Sequence, residues 1–468
     1  MDDFAHIDNA PVSRFHRKLL VACCGGPFLD GYILSLIGVA LVGFRAEIPT
    51  TAAQTSLLGA ASLIGIFFGA LVFGALTDRL GREKMYALDL TVLVAACLLS
   101  AFVTAPWQLI ALRFVLGLAI GADYPIATSL LAEFTPARRR GFMLGMTGFA
   151  WSAGAMSAFA VGYAVVAASG GHHLWRLMLA SGAAVGVGVV LLRRGVPESP
   201  RWLASQGRAD EARAVLRAVY GERAAARADF SAEPAPQRGM LEDMRALFRG
   251  GYGRRTAVCS TLYFAQITPQ YALYTFGAVI LAAAGISGDA AGTLGELLIA
   301  ALFAAGNLPA LRLIETWGRR PMTVYPFALM ALALAGLAVW PGAPAWYVVA
   351  GFGAYALFSG GPSILEWTYT NELFPTEIRA TAVGFAVAVS RVGAAAGTYL
   401  LPISVDAVGL SGTLWIAFAI TAVAFFVCLA WAPETKGQSL AAAAGQTSRR
   451  TRLAGTAAAG AGRSRFTD

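Results

Sequence analysis

The chain has 468 residues, of which 57% are hydrophobic and 13% are charged, and its mean hydropathy is +0.62. Soluble domains carry about 25% charged residues, so the composition excludes a soluble protein and indicates an integral membrane protein. The net charge of +9 would suggest nucleic-acid binding in a soluble chain. Here the basic residues flank apolar segments, so we expect no nucleic-acid partner.

Apolar stretches of about 20 residues, each long enough to cross a bilayer as a helix, recur along the chain. Lipid offers the backbone no hydrogen bonds, and the stretches lack the alternation of barrel strands. We therefore expect an all-α membrane protein with twelve transmembrane helices in two six-helix bundles. The predicted spans are residues 19–44, 54–77, 85–105, 107–133, 142–168, 173–193, 255–284, 289–314, 321–340, 344–372, 378–404 and 411–432.

These spans divide the chain into five parts. We expect an N-terminal segment (1–18), a first bundle (19–193), a hydrophilic linker with short helices (194–254), a second bundle (255–432) and a tail (433–468). Basic residues concentrate in the termini, the linker and the loops on the same side. The positive-inside rule therefore predicts that both termini are cytoplasmic, with at most a secondary attraction to anionic lipid.

Two charged residues are predicted deep inside the first bundle. Asp30 lies near the bilayer centre of the first helix, where an ionised carboxylate costs about 2.5–3.5 kcal/mol even on lenient scales. Arg113 of the fourth helix lies where it could meet Asp30, and we interpret the two as a proton-coupling pair. The alternatives are a structural polar contact for Asp30 and an Arg113 side chain that reaches the outer headgroups. Asp123, on the same flank of the fourth helix, receives no role.

Three landmarks of the first half return 236 to 239 residues later, which indicates a duplicated unit. The clearest is Pro197-Glu-Ser199, which returns as Pro433-Glu-Thr435. Charged residues near the inner ends of the helices return as well, and we expect them to form a gate that joins the two bundles. The predicted gating residues are Asp78, Arg82, Glu133 and Arg140 with their counterparts Glu315, Arg319, Glu372 and Arg379.

The second half carries the candidate solute site. The seventh helix places amide and phenol side chains on one face, which suits hydrogen bonding to a small polar solute. The tenth and eleventh helices add charged and aromatic residues at mid-depth. The candidates are Gln266, Gln270, Tyr274, Glu366, Trp367 and Arg391. The alternatives are hydrogen bonding between helices for the amides and phenols, and simple packing for Trp367.

Histidine and cysteine residues point to no metal or cofactor. The histidines lie in the termini or in one outer loop, and the cysteines lie inside apolar segments, without the spacing of a zinc site. The residues are His6, His16, His172 and His173, and Cys23, Cys24, Cys97, Cys259 and Cys428. No nucleophile or metal-ligand constellation appears, so we do not expect an enzyme.

The motifs together resemble the sugar porter branch of the major facilitator superfamily, over about residues 15–440. They are Gly74-x-x-x-Asp78-Arg79-x-Gly81-Arg82-x-Lys84, Arg113-x-x-x-Gly117-x-x-x-Gly121, Pro197-Glu-Ser-Pro-Arg-Trp202 and Pro433-Glu-Thr-Lys-Gly437. The resemblance implies two six-helix bundles, alternating access about a central site and proton symport through an Asp–Arg pair, which Asp30 and Arg113 match. Its bacterial members imply a multi-pass protein of the inner membrane, and we expect a monomer.

The resemblance weakens at the solute site. Hexose porters carry Gln-Gln-Leu-Thr-Gly-Ile-Asn on the seventh helix, whereas this chain reads Ala265-Gln-Ile-Thr-Pro-Gln-Tyr271. Glu366 and Arg391 add charges that a hexose does not need. We therefore expect a secondary active transporter, by proton symport, for a sugar acid or another small carboxylate. The alternatives are a porter of neutral sugars or polyols and a nutrient sensor that does not transport.

Overall fold

The computed structural model describes residues 4–169, 174–228, 239–283, 289–340 and 342–445. Within them, only the backbone is described at 272–283 and 289–296 and at several single positions. The described residues form helices and connecting loops and contain no strand.

Six long helices make up the first half of the chain. They are α1 (Arg14–Glu47), α2 (Ala52–Leu80), α3 (Arg82–Ser100), α4 (Pro106–Phe134), α5 (Arg140–Ser169) and α6 (Trp175–Arg193). The second half repeats the pattern with α7 (Gly253–Ala283), α8 (Asp289–Thr316), α9 (Arg319–Val339) and α10 (Ala345–Leu373). The last helical run, Arg379–Trp431, is interrupted at Gly409, whose φ of 72° and ψ of 174° are not helical. The part before Gly409 is α11 and the part after it is α12.

Ten helical segments of the described residues are long and apolar enough to cross a membrane. The two further long helices are α3, with 19 residues, and α7, with 31. The first turns of α3 carry Arg82, Glu83 and Lys84, and α7 begins with Arg254 and Arg255, so both are less apolar overall. Together they bring the number of long helical segments to twelve.

Small residues let helices of one bundle approach closely. A Cβ atom added to Gly117 of α4 would lie 2.2 Å from the carbonyl oxygen of Ser62 in α2. A Cβ atom added to Gly154 of α5 would lie 1.9 Å from the carbonyl oxygen of Phe28 in α1. The backbones of these helices therefore touch, which is a usual mode of packing for helices that have only lipid outside them.

The two bundles contact each other along two helix pairs. In the pair α2–α11, a Cβ atom on Gly384 would lie 2.1 Å from the carbonyl oxygen of Ala70. In the pair α5–α8, Asn307 Nδ2 donates a hydrogen bond of 3.1 Å to Ser152 Oγ. Because α2 and α8, and likewise α5 and α11, occupy equivalent places in the two halves, these contacts follow the internal repeat.

One end of the molecule carries the connection between the halves. It includes the short helices Pro200–Ser205, Ala209–Tyr220, Glu222–Arg227 and Met240–Ala246. Asp8, before α1, and Gln438, after α12, contact this region or the helix ends beside it. We call this end the linker side and the opposite end the far side.

The repeated Pro-Glu landmarks stabilise equivalent turns on the linker side. Gly81, with φ 99°, connects α2 to α3, and Gly318, with φ 98°, connects α8 to α9. Glu198 Oε2 accepts a 3.0 Å hydrogen bond from the N–H of Glu83, and Glu434 Oε1 accepts one of 3.0 Å from Arg319 N. Burial raises the pKa of the Glu198 carboxyl above its ordinary value, while the nearby Arg82 guanidinium and backbone N–H groups oppose that shift.

Candidate functional site

A cavity lies between the two bundles. Its volume of about 20 Å³ is room for about one water molecule, so the cavity is nearly closed in this conformation. The first bundle contributes Tyr124, Gly148 and Trp151, and the second contributes Ile267, Gln270, Tyr271, Ser363, Glu366, Trp367 and Arg391. The walls are therefore aromatic, with one acidic and one basic side chain.

Arg391 is buried in this wall with phenol partners. Its Nη1 donates a 3.1 Å hydrogen bond to the hydroxyl of Tyr271. Its Cζ lies 5.8 Å from the ring centroid of Tyr124 and 5.9 Å from that of Tyr271. No carboxylate of the described residues forms an ion pair with Arg391, and neighbouring Glu366 is not within 4.0 Å of it. The guanidinium therefore faces the cavity with N–H groups, including that of Nε, that donate no hydrogen bond to the described residues.

Glu366 and Trp367 lie side by side on the same wall. Glu366 is 5% exposed, and its Oε2 has no hydrogen-bond partner among the described residues. The ring of Trp367 packs edge-on against Tyr124, with centroids 5.1 Å apart. Gly148 of α5 leaves room for this indole, since a Cβ atom there would lie 2.9 Å from ring atoms of Trp367. The two bundles thus meet through an aromatic contact at the cavity.

The structure brings four of the six predicted solute residues to the cavity: Gln270, Glu366, Trp367 and Arg391. Gln266 is fully buried and does not line the cavity, and its amide atoms have no hydrogen-bond partner among the described residues. The side chain of Tyr274 lies outside the described residues.

Sequence reasoning missed three aromatic cavity residues, Tyr124, Trp151 and Tyr271. Tyr271 directly follows Gln270, and Tyr124 directly follows Asp123. Polar aromatic residues at mid-span were the available signal, but aromatic side chains also fill ordinary helix contacts, so the pattern alone did not select them.

Asp30 is fully buried in α1, and neither of its carboxylate oxygens has a hydrogen-bond partner in the described structure. The charged groups that act on it are Asp123, Arg193, Asp89 and Arg391. The expected ion pair with Arg113 is not found. Arg113 Nη1 instead lies 3.5 Å from the carbonyl oxygen of Ile33, about one turn further along α1.

Arg113 lines a separate small pocket towards the far side, beside Cys97 and Ser100. The contact at Ile33 lies about one turn of α1 beyond Asp30, which is enough to separate the guanidinium from the carboxylate. The cation of the first bundle that acts electrostatically on Asp30 is Arg193, the last residue of α6.

Arg193 forms the centre of a buried charge cluster that the sequence did not reveal. Its Nη2 donates a 2.6 Å hydrogen bond to Asp123 Oδ1, and its Nη1 lies 3.6 Å from Asp89 Oδ2. Its Cζ lies 3.4 Å from the ring centroid of Tyr86. Because Arg193 ends a helix, its position alone does not distinguish it from the basic residues that flank the membrane.

Charged residues on the linker side connect the two halves. Glu133 Oε1 accepts hydrogen bonds from Arg82 of its own half, at 3.2 Å, and from Arg379 of the other half, at 2.6 Å. Asp78 Oδ2 accepts 2.8 Å hydrogen bonds from both the N–H and the hydroxyl of Thr381. All of these side chains are buried, so the network joins the two halves on the linker side.

The corresponding residues of the second half form a second group. Arg319 pairs with Glu372 at 2.9 Å and with Glu315 at 3.1 Å. Glu315 also accepts a 2.9 Å hydrogen bond from the N–H of Phe142, at the start of α5. Seven of the eight predicted gating residues therefore lie in two groups that bridge the halves, and their gating role stays a prediction.

The eighth, Arg140, has a partner that the sequence did not indicate. Its Nη2 forms a short hydrogen-bonded ion pair with Asp8, and its Nη1 donates to the carbonyl oxygen of Gln438 at 3.1 Å. Asp8 also accepts a 3.1 Å hydrogen bond from Arg201 of the linker. Neighbouring Ile7 is fully buried against Leu216 and other linker residues. The N-terminal segment is thus packed into the linker region.

The described residues contain no group of side chains that could hold a metal ion.

Comparison with known proteins gives the family. The model of the sugar (and other) transporter family matches residues 18–444. YaaU of Escherichia coli (strain K12), named for metabolite transport, is 38% identical over 453 residues, or 97% of this chain and 100% of that protein. The inner membrane metabolite transport protein YgcS of the same strain is 34% identical, over 93% of this chain and 96% of that protein.

The fold of this chain is similar to that of a transporter of known structure. The major facilitator superfamily proton:xylose symporter XylE, bound to 6-bromo-6-deoxy-D-glucose, has a TM-score of 0.79 at 20% identity and covers 91% of this chain and 98% of its own. The inward-open form of XylE from E. coli has a TM-score of 0.65. The predicted all-α fold with twelve transmembrane helices in two bundles is confirmed. The relatives are transporters and not enzymes, and the relatives and the apolar helices indicate a multi-pass inner-membrane protein. The chain belongs to the sugar (and other) transporter family.

Proposed function

We propose that this protein is a proton-coupled symporter of a small organic acid, either a sugar acid or another small carboxylate, and that it works by alternating access. The single observation that carries the choice of an acid is Arg391, a buried guanidinium on the cavity wall that is hydrogen-bonded to a phenol and not to a carboxylate. The linker side faces the cytoplasm in this proposal, as the distribution of basic residues indicates.

The cost of burying Arg391 supports an acidic solute. Taking a charge out of water costs several kcal/mol per ion unless a counter-charge and hydrogen bonds compensate it. The two phenols beside Arg391 offer only partial compensation through their ring faces and one hydroxyl. A solute carboxylate that enters the cavity would form the planar two-bond pair that a guanidinium favours.

The rest of the cavity suits the remainder of such a solute. Gln270 supplies an amide that donates and accepts hydrogen bonds, and Trp367 and Tyr124 supply flat apolar faces. Glu366 is close enough to act electrostatically on Arg391, although no ion pair joins them. A protonated Glu366 would donate a hydrogen bond to the solute, and an ionised one would compete with it for Arg391.

Asp30 is the proposed proton carrier. It is a buried carboxyl group without a hydrogen-bond partner, and such a group inside a membrane protein is expected to serve an ion or proton pathway. XylE, whose fold this chain shares, is described as a proton:xylose symporter. Arg113 would act on Asp30 through the turn of α1 that it contacts at Ile33, and not through a direct pair.

Alternating access would use the linker-side network as its inner gate. The contacts from Asp78, Arg82 and Glu133 to the second half would close the cytoplasmic end in the present conformation. When these contacts separate, the cavity would open inward. Ion pairs suit this role because water can solvate both partners as they part.

Counterflow in proteoliposomes tests the proposal. Purified protein is reconstituted with one unlabelled compound inside, and entry of its labelled form is followed for sugars, sugar acids, aromatic acids and dicarboxylic acids. We expect counterflow of at least one acid and, for that acid, external alkalinisation during uptake. Arg391→Lys should weaken transport because the planar fork is lost, and Arg391→Gln should weaken it more for acids than for neutral solutes.

A neutral sugar is the second candidate, because the family model is that of sugar transporters and Gln270 can bind hydroxyl groups. Transport of a neutral sugar by wild type and Arg391→Gln alike, with no acid transported, would select this candidate. Solute binding without any counterflow would instead select a sensor.

A further inference from the structure

The charge cluster around Arg193 lies inside the first bundle and does not line the central cavity. Arg193 pairs with Asp123 at 2.6 Å and with Asp89 at 3.6 Å, and the carboxyl groups of Asp89 and Asp123 also interact with each other. Both carboxyl side chains are almost fully buried. Two acids therefore share one guanidinium in a place where an unpaired carboxylate is costly.

The cluster directly adjoins the proposed proton carrier. Gly26 lies one helical turn before Asp30 on α1, and a Cβ atom there would lie 1.9 Å from Asp123 Oδ2 and 2.2 Å from Arg193 Nη2. Asp123 Oδ1 is occupied by Arg193, whereas Oδ2, which packs against α1, has no hydrogen-bond partner in the described structure. Asp123 thus presents a free carboxylate oxygen to the helix that carries Asp30.

Charge balance indicates that protons occupy this region. Asp30, Asp89 and Asp123 with Arg193 would carry a net charge of −2 if all were ionised. The other titratable or charged groups that act on these residues are Tyr86, Cys23, Tyr124 and Arg391. Of these only Arg391 is a cation, and it belongs to the cavity wall. Bound protons are the remaining means of neutralising the buried acids.

The cluster also lies in the direction of the cytoplasm. Arg193 is the last residue of α6 at the linker side, and Asp89 lies two turns into α3, which begins at the linker side with Arg82. Asp123 is between these residues and Asp30. The acids thus form a series from the middle of α1 towards the linker side, separate from the route of the solute.

We propose that Asp123 and Asp89 relay the coupled proton between Asp30 and the linker side. This proposal rests on the proposed function, in which Asp30 binds that proton. The carboxyl oxygens of Asp30 and Asp123 Oδ2 are not hydrogen-bonded to each other in this conformation, so the transfer passes through an intervening water. The O–H bond of protonated Asp30 breaks as the water accepts its proton, and an O–H bond of the water breaks as one forms at Asp123 Oδ2. Arg193 stabilises the Asp123 anion before the transfer and after the proton has passed to Asp89. The proton therefore leaves through the first bundle while the solute leaves through the cavity.

Proteoliposomes with gluconate and benzoate as probes test the relay. Solute-driven proton uptake and counterflow are measured for wild type, Asp30→Asn, Asp89→Asn and Asp123→Asn. Glu47→Gln is the matched control, because Glu47 pairs with Arg176 at the opposite end of α1. In both relay variants we expect at least a tenfold loss of proton uptake with counterflow within about twofold of wild type. Glu47→Gln should retain both.

Two outcomes would overturn the relay. One is proton uptake that persists in Asp89→Asn and Asp123→Asn but is lost in Asp30→Asn. The other is loss of counterflow together with proton uptake in Asp89→Asn, which keeps the 2.6 Å pair of Arg193 and Asp123, since this would show a structural role. If wild type exchanges one of these acids but moves no proton with it, the proposed symport fails and the relay fails with it.

A measurement without solute separates these cases. Infrared difference spectra between acidic and alkaline buffer report protonated carboxyl groups in the purified protein. We expect Asp89→Asn and Asp123→Asn each to lose part of this signal and Glu47→Gln to keep it. Wild-type spectra from both relay variants would show that the pair holds no exchangeable proton and would refute the relay.

Discussion

Glu133 of the first half accepts a 2.6 Å hydrogen bond from Arg379 of the second half, but the repeat-related residues Glu372 and Arg140 form no ion pair. Glu372 instead pairs with Arg319 of its own half, and Arg140 pairs with Asp8 of the N-terminal segment. The inner gate is thus asymmetric although the sequence is repeated. In this gate, the ion pair between a carboxylate of one half and an arginine of the other is that of Glu133 and Arg379.

The first prediction follows from this asymmetry. Glu133→Gln should shift the protein towards inward-open states more than Glu372→Gln, because only Glu133 holds an arginine of the opposite half. A charge-assisted hydrogen bond contributes about 1.5–3 kcal/mol, which is about ten- to hundredfold in the equilibrium. Ser129 is fully buried and lies against Asn371 of the second half. A thiol reagent should therefore reach a Ser129→Cys residue only when the two halves separate on the linker side, and the rate of labelling reports that opening. Equal labelling of both Gln variants would contradict the asymmetry.

A second pair of gate variants tests the network as a whole. Arg82 and Arg319 each hold carboxylates together, at Asp78 and Glu133 in one group and at Glu315 and Glu372 in the other. Replacing both arginines by Gln should favour inward-open states, because Asp78 in one group and Glu372 in the other then lose their only arginine partner among the described residues. Labelling at Ser129→Cys should rise in this double variant. Labelling at the level of the parent would rule out these residues as the gate.

The N-terminal segment gives the third prediction. Asp8 neutralises two buried arginines, Arg140 and Arg201, so Asp8→Asn should release residues 4–13 from the linker region. Removing one partner of a buried ion pair costs about 3–5 kcal/mol. Limited proteolysis should then cleave the segment much faster than in wild type. Asp210→Asn is the control, because its ion pair with Arg213 is solvent-exposed, and it should leave the cleavage rate unchanged.

Helix packing gives the fourth prediction. Gly154→Ala would place a Cβ atom 1.9 Å from the carbonyl oxygen of Phe28, so α1 and α5 must separate. Overpacking of this kind costs about 1–3 kcal/mol, and the thermal unfolding midpoint in detergent should fall. Gly188→Ala meets no atom within 4 Å and should leave the midpoint unchanged or raise it, since Ala favours helix over Gly. A midpoint for Gly154→Ala as high as that of Gly188→Ala would mean that the helices do not approach so closely.

The helices could be predicted from sequence because lipid imposes one simple rule on the backbone. Each predicted span lies on a helix of the structure or differs from it by a few residues, and the break at Gly409 falls between the last two predicted spans. Glu366 and Arg391 could also be predicted, because a charged residue inside an apolar span is costly in lipid and therefore marks a candidate site.

The pairings were harder to predict. Depth can be read from the position in a span, but contact also depends on how each helix is rotated and displaced against its neighbours. This is why Arg113 contacts Ile33 instead of Asp30, and why Arg193 was not recognised as the partner of Asp123. Asp8 lay in a short polar lead with no pattern to mark it, and its role depends on contacts between distant parts of the chain.

The central claim is that Arg391 selects an acidic solute, and a comparison of an acid with its uncharged amide tests it most directly. Binding of gluconate and gluconamide, and of benzoate and benzamide, is measured for wild type and Arg391→Gln. Wild type should prefer the acid of at least one pair by about ten- to hundredfold, as expected for a charge-assisted pair of about 1.5–3 kcal/mol. The preference should disappear in Arg391→Gln while the amide binds as before. An acid preference that survives in Arg391→Gln, or wild-type binding of a neutral sugar with no acid bound, would contradict the account.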